Sequence, residues 1–448
     1  MSQLIGIIGA GPAGCALACF LQEKDINCII FDDGKTPDLI VGESLVSAII
    51  PLLQRLGIED RIAEISQIKL GAALRHKNGT RVDFRFQSFN KAFPDYAYNV
   101  PRPAFDNILK ARAKELGVQI IEQQAELEIC PDTSDRDIQL SDASLHNAGL
   151  NRNNQPNILV DATGRCRLFS RLLKLPYQKG ERNDISYFAH YENFKHDAIM
   201  DGQVILSVLD SGWSWQIPHK NCLSVGVVLD KTSARHYGQN SKERLENIID
   251  SNSLLSSNGH HRKRVSTVKS YSNYQLLSKQ SYGKGWVLLG DAFGFVDPML
   301  SPGLHMSLES ALLLEKYVLT KEKPSENDYE LYSREFNEWH RAWSFLVEFF
   351  YDGRILNMGA AREKIQNNTN PFYLPKLVEP YISRVLSSLV TGIQTRSKFN
   401  QLVLHYSSQY IGKEFNNVLE HAIQSTDSSN ASRYFKTNNS DLNIQKTI

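Results

Sequence analysis

The sequence predicts an α/β protein with three parts: a dinucleotide-binding domain on a parallel sheet, an inserted, mostly antiparallel sheet, and a helical C-terminal region. Three observations carry this. A short apolar run, Leu4–Ile8, stops at Gly9-Ala10-Gly11-Pro12-Ala13-Gly14 and is followed by a helical pattern and a second apolar run at 28–31. Strand signals dominate from about residue 185 to 275, and after Gly303 the pattern turns helical.

Taken in order, the opening is strand, glycine turn, helix and strand within about 30 residues, the start of a doubly wound fold. Residues 43–65 read mostly as helix, with Leu52, Leu53 and Leu56 on one side and Gly57 as a break. Alternation over 69–86 predicts strands joined by a hairpin at Asn78-Gly79. Residues 105–116 form an amphipathic helix; 118–129 and 157–160 are strand-like. The polar, Asn-rich stretch 142–156 reads as a hairpin tip or loop. Strands follow at 203–209, 213–217, 223–229 and 286–289, the last ending in Gly290-Asp291. Strands from distant segments share one sheet in this reading, so the domains are discontinuous. The cofactor domain comprises 1–68, 101–185 and 280–310, and the substrate-side sheet 69–100 and 186–279. The helical region runs over 311–424 and a disordered, Ser/Asn/Thr-rich tail over 425–448.

The chain has 448 residues, 42% hydrophobic, enough for about three domain-sized units. Fifty Lys+Arg against 49 Asp+Glu give a net charge of +1, so no global field favours nucleic acid or an anionic membrane. No apolar run approaches the roughly 18 residues of a bilayer span, and Met1-Ser2-Gln3-Leu4 lacks a basic leader. We therefore expect a cytoplasmic protein with no integral membrane association. Cys15, Cys19, Cys28, Cys130, Cys166 and Cys222 form no CxxC pair, and no His cluster has metal spacing. They read as small core residues in a reducing compartment, with no metal site.

Gly9, Gly11 and Gly14 have dinucleotide spacing. The first makes the tight turn, the second admits a pyrophosphate, and the third lets helix pack on strand. Ala13 completes the turn. The helix start offers free N–H groups to an anion, and Asp32, after the second strand, would accept hydrogen bonds from a ribose diol. The alternative is a glycine turn with no ligand. The second fingerprint, Gly285-Trp286-Val287-Leu288-Leu289-Gly290-Asp291-Ala292, resembles the segment with which FAD-dependent hydroxylases and halogenases bind the ribityl chain. The fold this implies is a glutathione-reductase-like FAD-binding domain. Asp291 would bond a ribityl hydroxyl, and the helix starting near Gly303 would turn its positive end to the flavin. The plainer reading of Asp291 is an N-cap. No second glycine fingerprint for NAD(P)H is visible, so FADH2 would come from a separate flavin reductase.

Three further segments resemble the flavin-dependent halogenases, a branch of the FAD monooxygenase superfamily. Trp213-Ser214-Trp215-Gln216-Ile217-Pro218 fits their WxWxIP motif, which lies near the tunnel between flavin and substrate and disfavours direct oxygen transfer. Without the resemblance, the two indoles are what period-2 alternation puts on one strand face. Phe295-Val296-Asp297-Pro298-Met299-Leu300-Ser301-Pro302-Gly303 fits the FxxPxxSxG pattern. Lys69-Leu70-Gly71-Ala72 matches the segment carrying the family's essential lysine, which holds or carries the oxidised halogen; a partly desolvated lysine would have a lowered pKa. The plain alternative is a solvated lysine. Arg102 resembles the arginine that contacts FAD, and Glu43 and Ser44 the turn lying against the flavin. Asp161-Ala162-Thr163-Gly164-Arg165 resembles a strand-end segment of the superfamily, either architectural or ligand-binding.

Two departures matter. Halogenases acting on free tryptophan carry a glutamate where this chain has Leu300, so the resemblance implies an electron-rich phenolic or pyrrolic substrate, free or on a carrier protein. In the family the halide sits against the N–H groups of the two residues after the serine. Here these are Pro302 and Gly303, and proline has none. A lost charge-assisted hydrogen bond is worth about 1.5–3 kcal/mol. The leading expectation is an aromatic halogenase with Lys69 as the catalytic residue, Trp213 and Trp215 in the tunnel, and Pro298, Ser301 and Pro302 on the halide side. The alternative is an FAD monooxygenase hydroxylating an aromatic ring, such as a protein- or carrier-bound Trp or Tyr. Trp339, Trp343, Phe345, Phe349, Phe350 and Tyr351 are expected to be helix core or a wall for an aromatic substrate.

Overall fold

The computed structural model describes residues 3–35, 37–87, 93–259, 261–272, 275–367 and 374–415. The expected disordered tail, 425–448, lies outside them. The α/β class holds. A six-stranded sheet runs in the order Tyr282–Gly283, Trp286–Leu288, Ile158–Asp161, Leu4–Ile8, Asn27–Phe31, Gln119–Ile121. Its strands pair in parallel except at the Tyr282–Gly283 edge. Leu4–Ile8 lies between Asn27–Phe31 and Ile158–Asp161, so the order of connection reverses beside it. A crevice opens at its carboxyl end, where Gly9 begins.

The helix Pro12–Gln22 starts there. Pro12 pre-sets the first turn, and residues from Ala13 to Leu21 are buried on every side, because the helix lies between the sheet and the helices Arg102–Glu115 and Gly303–Leu314. Cys15, Cys19 and Cys28 belong to this core as free thiols whose pKa values burial pushes up. Close helix–strand packing depends on Gly14: a Cβ there would sit 2.1 Å from the Gly9 carbonyl oxygen.

The second sheet is eight-stranded and mostly antiparallel. It runs Lys263–Arg264, Asp184–Glu192, Leu223–Asp230, Gly212–Pro218, Val204–Leu209, Gly71–Arg75, Arg81–Arg85, with Lys269–Ser272 also on Asp184–Glu192. The Gly71–Arg75 and Arg81–Arg85 hairpin turns at Asn78-Gly79 as expected. Gly71–Arg75 joins Val204–Leu209 in parallel, which ties the early segment to the later strands. The two-stranded ribbon Gln67–Lys69 with Ala97–Asn99 leads from the first sheet to the second.

The helices Lys231–Ala234, Ser241–Ser251 and Ser253–Gly259 interrupt the span that the sequence reading gives to strands, and a second segment also departs from it. Residues 142–156 do not form a loop throughout: Asp142–Asn147 is helical, because Ser141 Oγ accepts the Ser144 N–H as an N-cap. The helical region expected after Gly303 is present in Glu326–Tyr351, Arg354–Gln366, Leu374–Val390 and Lys398–Phe415. Ser387 Oγ donates to Arg85 O and accepts from Gln87 N–H, fastening these helices to the hairpin.

Gly14→Ala is expected to lower stability by about 1–3 kcal/mol or more, through overpacking against backbone that cannot yield. Urea unfolding of the full chain measures this, and an unchanged midpoint would show that the turn relaxes.

Candidate active site

One cavity of about 610 Å³ lies between the two sheets. Its floor is the glycine turn, with Gly9, Ala10, Gly11, Pro12 and Ala13, and beside it Asp32. Trp213 and Trp215 face it from the substrate-side sheet, Lys69 from the two-stranded ribbon beside that sheet, and Pro298, Ser301 and Gly303 from the loop that starts the next helix. Glu43, Ser44, Arg102 and Asp291 complete the wall. The structure thus brings most of the sequence-selected residues into one space. Gly14, Gly290 and Pro302 are not among the lining residues; Gly14 and Gly290 support the turn from behind.

Lys69 ends the strand Gln67–Lys69 and is only 4% exposed. Its Nζ donates to Ser44 Oγ at 2.7 Å and to the Leu45 carbonyl at 2.9 Å, and lies 5.1 Å from the Phe86 ring. Among the described residues no acid forms an ion pair with it. Burial alone therefore pushes its pKa down to about 7. A neutral amine keeps both hydrogen bonds as a donor and retains one lone pair.

The glycine turn fits the pyrophosphate of a dinucleotide. A Cβ on Gly11 would meet nothing within 4 Å, so this backbone faces open space beside a helix start. Asp291 lies across the cavity. Burial raises its pKa to about 6, against the pull of Arg165 and Arg102. Arg165 also stacks on Tyr271, 4.1 Å from the ring centre, and both line the cavity. These residues fit FAD. Asp32 Oδ2 accepts from Lys110 at 2.6 Å, so the expected ribose acid is held by a cation. Arg102 donates to the Val41 carbonyl and to Asp106, which gives it a structural task in shaping residues 41–42. Asp161 is architectural: its carboxylate accepts from the N–H groups of Thr163 and Phe169 and from Thr163 Oγ1.

Trp213 and Trp215 share one face of Gly212–Pro218, 5.7 Å apart, and both are buried. Trp213 Nε1 donates to Tyr351 Oη at 2.7 Å, and Tyr351 donates onward to Asp297 at 3.2 Å. Burial raises the Asp297 pKa to about 6 even though Arg182 opposes it. Asp297 also caps the Met299 N–H. Leu300 and Ser301 then both adopt left-handed backbone, φ 66° and 61°, rare for residues with a Cβ. The aromatic group on Glu326–Tyr351 is mainly helix core: Trp343 and Phe349 are buried off the cavity lining, while Phe350 packs edge-on against Trp213 and Tyr351 accepts its indole N–H.

Sequence reasoning missed one cluster. Glu43 does not turn its carboxylate to the cavity floor. Its Oε1 lies 2.6 Å from His190 Nε2 and 3.4 Å from His219 Nε2. Burial opposes the charge on Glu43, but the two imidazoles hold its pKa at about 2. Burial likewise opposes the His190 imidazolium, yet contacts with Cys222 and Glu43 raise it to about 10. A signal was available: His219 directly follows the Trp-Ser-Trp-Gln-Ile-Pro segment, and His190 interrupts an apolar strand.

Comparison with known proteins agrees with this geometry. The family described as "Tryptophan halogenase" matches residues 81–354. A "Tryptophan 2-halogenase" of Chondromyces crocatus is 24% identical over 372 residues, 78% of this chain and 68% of that protein. A "1H-pyrrole-2-carbonyl-[peptidyl-carrier protein] chlorinase" of Pseudomonas fluorescens is 25% identical over 382 residues, 78% and 84% of the two chains. Among solved structures, a flavoprotein/dehydrogenase from Cytophaga hutchinsonii has a TM-score of 0.75 at 21% identity, covering 92% of this chain and 100% of that one. A mutant of the halogenase PltM, in complex with FAD, has a TM-score of 0.70 at 18% identity, covering 94% and 95%. Both share the fold.

The Lys69 environment predicts a stability effect with a defined sign. The amine binds its proton near 10.5 when unfolded and near 7 when folded. Below about pH 7 the folded chain carries the full cost of a buried ammonium, on the order of several kcal/mol. That cost fades as pH rises toward 10.5. Lys69→Met should therefore melt higher than the wild type at pH 6–7, and the gap should close by about pH 10. Parallel thermal melts across pH decide it; a gap independent of pH would show that folding leaves the Lys69 pKa unshifted.

Proposed function

The chain belongs to the tryptophan halogenase family of flavin-dependent enzymes, and we propose that it halogenates an electron-rich phenolic or pyrrolic ring, free or held on a carrier protein. The observation that carries this is the placement of Lys69, a buried amine without an acid partner, in the same cavity as the FAD-fitting turn and the two tunnel indoles.

Reduced FAD, delivered by a separate flavin reductase, would supply with oxygen and halide an electrophilic halogen. Gly9, Gly11 and Ala13 would seat the pyrophosphate on the helix start, and Asp291 would hold the ribityl chain. Trp213 and Trp215 fill the space between cofactor and substrate and exclude water from it. The Lys69 lone pair is the acceptor for the halogen. Ser44 Oγ and the Leu45 carbonyl fix the amine so that the group it carries is directed and not lost to solvent. The ring then exchanges a proton for the halogen.

The substrate class rests on Leu300. It lines the cavity where tryptophan-directed relatives are expected to carry a glutamate, and no described acid pairs with Lys69. A site without that carboxylate suits a ring already activated by a hydroxyl or a pyrrole nitrogen. The carrier-bound form draws support from the similarity to the peptidyl-carrier chlorinase.

Lys69→Met is expected to abolish halogenated product, by about 10²-fold or more, while FAD binding persists. Mass spectrometry of reactions with bromide, a reductase and a panel of phenols and a carrier-loaded pyrrole-2-carbonyl group measures this. Full activity in the variant would remove Lys69 from the mechanism. Hydroxylated product in place of halogenated product would favour the monooxygenase reading, which the missing Pro302 N–H specifically supports.

Pro302→Ala restores an N–H at the start of Gly303–Leu314. We expect the half-saturating bromide concentration to fall by about 10-fold or more. An unchanged value would place the halide away from this loop.

A further inference from the structure

We infer that Glu43, His190 and His219 form a binding site for one divalent transition-metal ion, zinc by its donor set. One ligand atom from each lies within 4.8 Å of the other two. The three come from separate elements: Glu43 from the segment before Ser44, His190 from Asp184–Glu192, and His219 from the residue after Gly212–Pro218. Two imidazoles converging on one carboxylate oxygen form the His₂Glu set that zinc accepts in tetrahedral sites with one open position.

The cluster is not explained as an ion pair alone. A Glu43–His190 pair needs one imidazole. It leaves His219, whose side chain is 7% exposed, with Nδ1 unbonded and Nε2 in nothing better than the long contact to Glu43. Proteins seldom leave buried polar atoms in that state. The 3.4 Å from His219 Nε2 to Glu43 Oε1 is long for a hydrogen bond. It matches the ~3.4 Å between two ligands of a tetrahedral zinc ion. The 2.6 Å contact to His190 is a proton-bearing contact that opens when the metal replaces the proton. Cys222 touches His190 and shares a turn with His219, whose backbone N–H donates to the Cys222 carbonyl at 2.9 Å. It lies beside His190 without belonging to the three-atom group.

The site would act in structure, not in redox chemistry. It would fasten two strands of the substrate-side sheet, Asp184–Glu192 and Gly212–Pro218, to residues 43–45, the segment that holds the Lys69 amine through Ser44 Oγ and the Leu45 carbonyl.

The test uses the full chain, stripped with EDTA and titrated calorimetrically with Zn²⁺, with no turnover involved. We expect one equivalent bound and a rise in melting temperature. His219→Gln and His190→Gln should each weaken binding on the order of 100-fold and abolish the rise. Co²⁺ on the wild type should give the intense visible absorption of a four-coordinate ion, a readout that needs no variant to fold. Equal heats in wild type and His219→Gln, or only the weak spectrum of octahedral surface-bound cobalt, would overturn the site. Because no halogenation is measured, this failure is separate from any failure of the proposed function.

Discussion

The amine of Lys69 is buried without an acid beside it, and the site is arranged around that cost. A lysine placed so would ordinarily recruit a carboxylate, and the pair would be inert. Among the described residues its polar partners are Ser44 Oγ and a backbone carbonyl, which keep it in place without lending it charge. The segment supplying both acceptors must itself be rigid. It is: the Leu45 N–H bonds Tyr98 O, and the Glu43 carbonyl accepts the Val100 N–H. The ribbon carrying Lys69 and the ribbon carrying Tyr98 are the same two-stranded unit, so lysine and acceptors are fixed by one set of ladder bonds.

Strain marks the opposite wall. Two consecutive left-handed residues with Cβ atoms, Leu300 and Ser301, cost of order 1–3 kcal/mol each and persist only where the surroundings determine them. The determinant is Asp297. It is fully buried, takes the Met299 N–H, and is itself held by Tyr351. Arg182 lies 3.4 Å over the Tyr351 ring, so the chain from guanidinium to phenol to carboxylate ends in the strained turn. Trp213 bonds the same phenol. The tunnel indole and the start of Gly303–Leu314 are therefore set by one network.

The opening of the fold was legible because local chemistry decides it. Only glycine fits where a Cβ at position 14 would press on the Gly9 carbonyl, and the spacing of such residues survives in any sequence with this turn. The hairpin at Asn78-Gly79 was legible for a different local reason: the turn puts Gly79 at φ 90°, which favours glycine. The Asp142–Asn147 helix was not, since a polar stretch gains its helix from one Ser141 cap. Lys69 could be selected by its neighbours in the chain, but its pKa could not, because burial is a property of the packed sheets. The Glu43, His190 and His219 cluster escaped altogether. Its members are 147 and 29 residues apart, and no spacing rule joins side chains that meet only through a β-ladder and a turn.

These constraints bear on how one cavity can favour halogen over oxygen transfer. A reactive species formed at the flavin end must reach the ring without the ring reaching the flavin. On the proposed function, Trp213 and Trp215 would provide the separation: both indoles are buried and each N–H is already bonded, Trp213 to Tyr351 and Trp215 to Ser224 Oγ. Rotating either one aside would strand a polar group in an apolar wall, which makes the barrier stiff. A small neutral carrier of halogen can pass such a barrier where an aromatic ring cannot. The Lys69 amine lines the same cavity, and burial lowers its pKa, so on the proposed function its neutral form would be the one that accepts what passes. On the proposed function, the missing acid at 300 and the missing N–H at 302 would act on opposite sides of the same selection: the first would relax the demand on the catalyst for a ring already rich in electrons, and the second would weaken the hold on the halide.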